Sequence, residues 1–178
     1  MPTSPLIDIS TIDLSARLMD REAMSRYLPH RGPISMLDYL IHEDEVPNVA
    51  VAVAHIPMDV WWADGHIPGN PLMPGVLQIE AAAQLASLIY YKRSGREWFA
   101  GFTRINDVTF RGQVKPGDDL YLICVGRKFS DKRFVTAAQG MVDGQIVFDG
   151  EISGMAFPQL GERIERRPLT QEELRAEV

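Results

Sequence analysis

Apolar positions follow two contrasting patterns along the chain. From Gly75 to Arg93 they fall on nearly every face of a helical repeat, as Val76, Leu77, Ile79, Ala81, Ala82, Ala83, Leu85, Ala86, Leu88 and Ile89. Ala and Leu are strong helix formers. Pro74 suits the first helical position, where its missing N–H costs nothing, and Gly95 marks the end. The spacing predicts one long helix, and a helix that is apolar all round is buried in a core. From Trp98 onward the chain reads as strands over 98–111, 119–130, 133–142 and 145–157. Lys115 to Asp118, Asp131-Lys132 and Asp143-Gly144 separate them. Asp-Gly between two strands is a hairpin signal, and turns this short imply an antiparallel meander.

The segments before the helix are less regular. Thr11 to Met24 can form a short amphipathic helix with Ile12, Leu14, Leu18 and Met24 on its apolar side. Tyr27 to Pro33 is turn-rich, Ile34 to Ile41 is a strand or a short helical turn, and 42–47 is a polar turn. Val49 to Ile56 reads as a strand. Pro57 to Pro74 carries prolines at 57, 68, 71 and 74 and glycines at 65 and 69, which exclude regular structure over most of it. A long irregular segment inside a domain points to function. The expected division is an N-terminal extension over 1–25, one domain over 26–157, and a charged tail over 158–178 with a short helix near 170–177. The fold class is α+β, with one antiparallel sheet wrapped around a long central helix.

Composition narrows the partners more than the fold. The 178 residues are 46% hydrophobic and 24% charged, an ordinary globular balance. A net charge of −6 argues against nucleic acid and against an anionic membrane surface. It also sets up no field for an acidic carrier protein, so such docking would need a local basic patch. The N-terminus lacks a basic, then apolar, leader, and the longest apolar segment is broken by Glu80, Gln84 and Ser87. A cytoplasmic location without membrane insertion is the expectation. The one cysteine, Cys124, sits in an apolar run and reads as a core residue.

The candidate chemistry lies between Gly65 and Gln84. His66 stands on the rigid irregular segment. Glu80 lies on the buried helix, where a carboxylate is costly unless paired or functional. Gln84, four residues on, shares its face, and Ser87 extends the stripe. Two readings are open. The stripe can be a hydrogen-bonded contact at a subunit interface with His66 as a turn residue, or it can be a reaction site. His and Glu at this separation lack metal-ligand spacing, and H-E-x-x-H, G-K-[ST], a dinucleotide fingerprint and G-x-S-x-G are all missing.

Gly65-His66-Ile67-Pro68-Gly69-Asn70-Pro71-Leu72-Met73-Pro74-Gly75-Val76-Leu77 with Glu80-Ala81 and Ala83-Gln84 resembles the signature of bacterial 3-hydroxyacyl-[acyl-carrier-protein] dehydratases. Ile67 replaces the family's Phe. Leu28-Pro29-His30-Arg31 and Phe110-Arg111 with Val114-Lys115-Pro116-Gly117-Asp118 resemble two further elements, so the likeness spans about 27–157. The resemblance implies a hot-dog fold and a homodimer or trimer of dimers. His66 from one subunit and Glu80 from the other then flank a substrate tunnel. It implies a (3R)-3-hydroxyacyl substrate on the phosphopantetheine of acyl carrier protein and no further cofactor or metal. His66 is the expected base and Glu80 the expected acid, its pKa raised by burial. The N–H of Gly75 is the expected oxyanion donor, with Gln84, Leu72 and Pro74 in support. Glu at position 80 favours the simple dehydratase over the dehydratase–isomerases, which usually carry Asp. The alternatives are a dehydratase–isomerase, a hot-dog acyl thioesterase and a non-catalytic acyl-thioester binding subunit. Leu88, Phe102 and Ile105 are candidates for the tunnel end.

Overall fold

In the computed structural model, which describes residues 4–44, 48–95 and 98–161, the apolar run after Pro74 is the helix α2 (Gly75–Ser94). Its end is set by Gly95 at φ 59°, whose N–H bonds back to the Tyr91 carbonyl. Left-handed backbone of this kind favours glycine. Between Gln78 and Tyr91, Glu80 is the single residue that is not fully buried.

The strands are β1 (Met19–Asp20), β2 (Tyr39–Asp44), β3 (Val49–His55), β4 (Phe99–Phe110), β5 (Asp119–Phe129), β6 (Arg133–Val142) and β7 (Gln145–Phe157). Two short helices, α1 (Arg21–Ser25) and α3 (Pro158–Gly161), complete the elements. All strand pairs are antiparallel, in the order β1-β2-β3-β5-β6-β7-β4. The β6–β7 hairpin turns at Asp143 and Gly144, both at positive φ (49° and 73°), which matches the twist of the flanking strands.

β3 shows how the sheet separates two cores. Its alternation places Ala50, Ala52 and Ala54 toward α2, in one cluster with Leu120, Leu122, Cys124 and Phe148. The small side chains let the helix sit close. Val49, Val51 and Val53 point the other way, into a second cluster with Ile41, Ile123 and Met141. That outer face is covered by the N-terminal segment, through Leu6, Ile7, Ile9 and Ile12. The buried Gln139 side chain fixes the strap, accepting from Leu6 N at 2.9 Å and donating to Ser4 O at 3.3 Å.

Three expectations are corrected. Thr11 to Met24 is not one helix: a 3-10 turn covers Ile9–Thr11, and α1 begins only at Arg21. Asp13 accepts from Ser15 N and Asp20 caps Ala23 N, local bonds that compete with a continuous helix. Leu14 and Leu18 are exposed. The apolar run 34–41 is split between a 3-10 turn (Gly32–Ile34) and the start of β2. The polar turn expected from residue 42 is strand as far as Asp44, because β2 pairs with β3 to that point. The short helix expected near 170–177 lies outside the described residues. Among those residues no helix is long and apolar enough to cross a membrane.

Candidate active site

The irregular segment is pinned at both ends. Trp62 is buried, and its carbonyl accepts from Gly65 N and His66 N. Met73 N donates to Val114 O at 2.8 Å, tying the other end to the segment before β5. Between these anchors the His66 ring turns back, with Nδ1 2.7 Å from the Leu72 carbonyl oxygen. A carbonyl only accepts, so Nδ1 carries a proton, and in the neutral ring Nε2 is the nitrogen with the lone pair. The residue is exposed. Pro74 continues the support: its carbonyl accepts from Leu77 N and Gln78 N as the first turn of α2 forms.

Glu80 sits in a different surrounding. Gln84 Nε2 donates to Glu80 Oε1 at 2.9 Å, the geometry expected four residues apart on a helix. Gln84 is itself buried and tied to another segment, donating to Ile34 O at 2.7 Å and accepting from Met36 N at 3.1 Å. A second group reaches the same oxygen: His30 Nε2 lies 3.3 Å from Glu80 Oε1. The bond from His30, with help from Gln84 and from the charge His30 can carry, outweighs desolvation and holds the Glu80 carboxyl below its ordinary value. This corrects the expectation that burial raises it; the donors win over the lost water.

His30 is not among the site residues that the sequence predicts. It was visible only as part of the Leu28-Pro29-His30-Arg31 element, and no sequence spacing brings it to Glu80. The contact arises because the turn after α1 packs across the middle of α2.

A groove of about 270 Å³ runs from this cluster along α2. Glu80, Ala83, Gln84, Ser87 and Tyr91 form its helix wall, and Phe99 to Phe102 of β4 face them. Tyr91 Oη accepts from Ala100 N at 2.8 Å, joining the two walls at the far end. Of the residues proposed for the tunnel end, Phe102 lines the groove. Leu88 is fully buried in the core and Ile105 is not part of the lining, since one faces away along the helix and the other lies further along β4.

Gly75 occupies the first position of α2, where backbone N–H groups have no intrahelical acceptor. The Phe110 ring covers it: a Cβ built on Gly75 would lie 2.6 Å from Phe110 Cζ. A side chain at position 75 would therefore require the Phe110 ring of β4 to move. Within one chain His66 is not part of the Glu80 groove, and no hydrogen bond or ion pair joins the two among the described residues. Cys124 is buried between β5 and α2, its Sγ 3.6 Å from Ala82 O, and burial pushes its thiol pKa up.

Residues 28–151 match the model of the FabA-like domain. The 3-hydroxyacyl-[acyl-carrier-protein] dehydratase FabZ of Protochlamydia amoebophila (strain UWE25) is 32% identical over 139 residues, which is 78% of this chain and 90% of that protein. The chain belongs to the FabZ-type, FabA-like dehydratase family. The enzyme of the same name from Clostridium botulinum (strain Okra / Type B1) is 33% identical over 137 residues, 76% of this chain and 94% of that one. Among solved structures, the dehydratase heterocomplex ApeI:P from Xenorhabdus doucetiae superposes with a TM-score of 0.63 at 16% identity. It covers 85% of this chain and 93% of its own, a likeness of fold that establishes the hot-dog architecture of this FabZ-type chain.

Proposed function

We infer that this protein is a hydro-lyase of fatty acid biosynthesis. It converts 3-hydroxyacyl-[acyl-carrier-protein] into the trans-2-enoyl thioester and water. Membership of the FabZ-type family supports the reaction. The observation that carries the residue assignment is the His66–Leu72 hydrogen bond, which leaves His66 Nε2 as a base.

In this reading His66 Nε2 takes the C2 proton of a (3R)-3-hydroxyacyl group. The thioester oxygen gains charge as that proton leaves, and the Gly75 N–H at the start of α2 stabilises it. Glu80 hydrogen-bonds the C3 hydroxyl and supplies the proton with which it departs as water. In the open groove the carboxyl is held ionised by its donors. An acyl chain filling the groove removes water around it, which favours the protonated form the step requires. His66 is left protonated and Glu80 ionised, and exchange with water restores both. The arm of acyl carrier protein brings the substrate, and no other cofactor enters. Glu at this position supports the simple dehydratase over the isomerising branch.

The separation of His66 from the Glu80 groove is explained by a homodimer that pairs His66 of one subunit with Glu80 of the other. β4 supports this assembly. It is an edge strand of twelve residues with Phe102, Ile105 and Phe110 exposed. Such an edge invites pairing with another strand. Further association into a trimer of dimers, and a cytoplasmic location, are consistent extensions.

The test is hydration of crotonyl and decenoyl thioesters, followed by loss of enoyl absorbance, with product analysis for trans-2 and cis-3 isomers. Release of free thiol instead would make the protein a thioesterase. Binding without turnover would make it an acyl-thioester binding subunit.

A further inference from the structure

We infer that His30 is a positioning residue for Glu80, holding one carboxylate oxygen so that the other is presented to the substrate. The inference rests on the dehydratase reading above and adds to it a residue for which no role follows from that reading.

The backbone that carries His30 is fixed independently of Glu80. Leu28 is buried and its N–H bonds to Met24 O, continuing α1 into the turn. The Arg31 guanidinium donates to the carbonyls of Leu28, His30 and Ser25, clamping the turn from inside. With the backbone held, the ring lies against α2 with Nε2 at Glu80. The side chains of His30 and Glu80 are 27% and 23% exposed, so the contact is largely shielded from water.

The ring's other nitrogen decides the tautomer. His30 Nδ1 is buried and has no hydrogen-bond partner. A buried N–H without an acceptor loses its hydration outright, and a bare lone pair is the less costly state. The proton therefore belongs on Nε2, the nitrogen 3.3 Å from Glu80 Oε1. Gln84 Nε2 reaches the same Oε1 at 2.9 Å. Gln84 and His30 thus both meet Oε1, and Glu80 Oε2 has no hydrogen bond or ion pair among the described residues. That oxygen is the one available to a C3 hydroxyl in the groove. The other groups facing the pair do not alter this. Tyr91 is the remaining titratable side chain of the groove, at its far end against Ala100, and Arg31 is turned toward backbone carbonyls. His66 enters only from a partner subunit.

The test combines spectroscopy on the native protein with two variants. In the wild type, 15N spectra of His30 should show the Nε2–H tautomer; an Nδ1–H tautomer would overturn the proposal without any mutation. In 13C-glutamate protein, with Glu80→Gln for assignment, the Glu80 carboxyl midpoint should move up in His30→Leu and return toward wild type in His30→Gln, whose amide can still donate. His30→Leu should lower kcat about ten- to hundredfold, the scale of one hydrogen bond to a charged group, with KM changed less than about twofold. His30→Gln should recover much of that loss. A folded His30→Leu protein with wild-type midpoint and kcat sinks the proposal, and if that variant does not fold, the wild-type tautomer decides. Absence of hydration activity in the wild type would remove the dehydratase reading instead, while the tautomer and midpoint still report on the His30–Glu80 contact.

Discussion

His66 Nδ1 donates to the Leu72 carbonyl at 2.7 Å, so the tautomer of the ring is set by the backbone six residues on. A base prepared in this way should be lost wholly when the ring is removed. His66→Ala is expected to lower kcat for enoyl-thioester hydration by about 10²–10⁴-fold. The side chain is exposed, so the melting temperature should barely move. Enoyl absorbance at saturating substrate, alongside a thermal melt, separates the two effects.

The same histidine is outside its own chain's Glu80 groove, which turns the dimer reading into a mixing experiment. His66→Ala and Glu80→Gln proteins are each expected to be nearly inactive. After co-refolding, one hybrid site in each mixed dimer would unite an intact His66 with an intact Glu80. Random pairing should then restore about a quarter of wild-type activity. No recovery, with mixed dimers demonstrated by mass, would place both residues of each site in one chain.

Glu80 also carries a pH signature in stability. Its carboxyl lies below the ordinary value of 4.5 because His30 and Gln84 donate to it. A carboxyl depressed on folding stabilises the protein above the unfolded value, and that contribution is lost as pH falls through the folded one. Urea unfolding at fixed protein concentration should therefore show wild type losing more stability than Glu80→Gln as pH drops below about 4.5. Parallel curves would mean that the donors do not favour the ionised form.

The parts of this fold that sequence reveals are those set by local pattern. α2 is legible because Pro74 and Gly95 bracket an all-apolar run, and the later strands because turn residues separate them. The segment before them is not legible, because Asp13 and Asp20 bond to nearby backbone and cut a plausible amphipathic helix into turns. At the site, the Gln84–Glu80 bond follows from helical spacing, whereas the His30–Glu80 contact depends on the turn after α1 crossing α2. Sequence alone gives the opposite direction for the Glu80 shift for that reason: burial is visible in a sequence, but a group from a distant segment is not.

Gly75 and Phe110 should be energetically coupled. A Cβ at Gly75 would meet the Phe110 ring at 2.6 to 3.0 Å, closer than van der Waals contact allows. The ring is 48% exposed and can swing aside, so Gly75→Ala is expected to cost only about 1–2 kcal/mol. In the Phe110→Ala background the clash is gone, and the cost should fall by about 1 kcal/mol. A double-mutant cycle in urea measures this. Equal costs in both backgrounds would show that Phe110 does not dictate glycine at this position.

Chain-length preference should be set along the helix wall from Glu80 through Ser87 to Tyr91. Those eleven steps of helix span about 16 Å, and Tyr91 ties the far end to Ala100. Ser87 is 9% exposed and lies midway, so bulk added there obstructs a long acyl chain while leaving the Glu80 end open. Ser87→Val is expected to reduce kcat/KM for a decenoyl thioester about tenfold or more, the scale by which added carbon in a fitted pocket discriminates substrates. For a crotonyl thioester the change should stay within about twofold. Leu88→Ile, on the buried face of the same helix, should not alter the ratio between the two substrates. Equal losses for both thioesters in Ser87→Val would show that the acyl chain does not follow this groove.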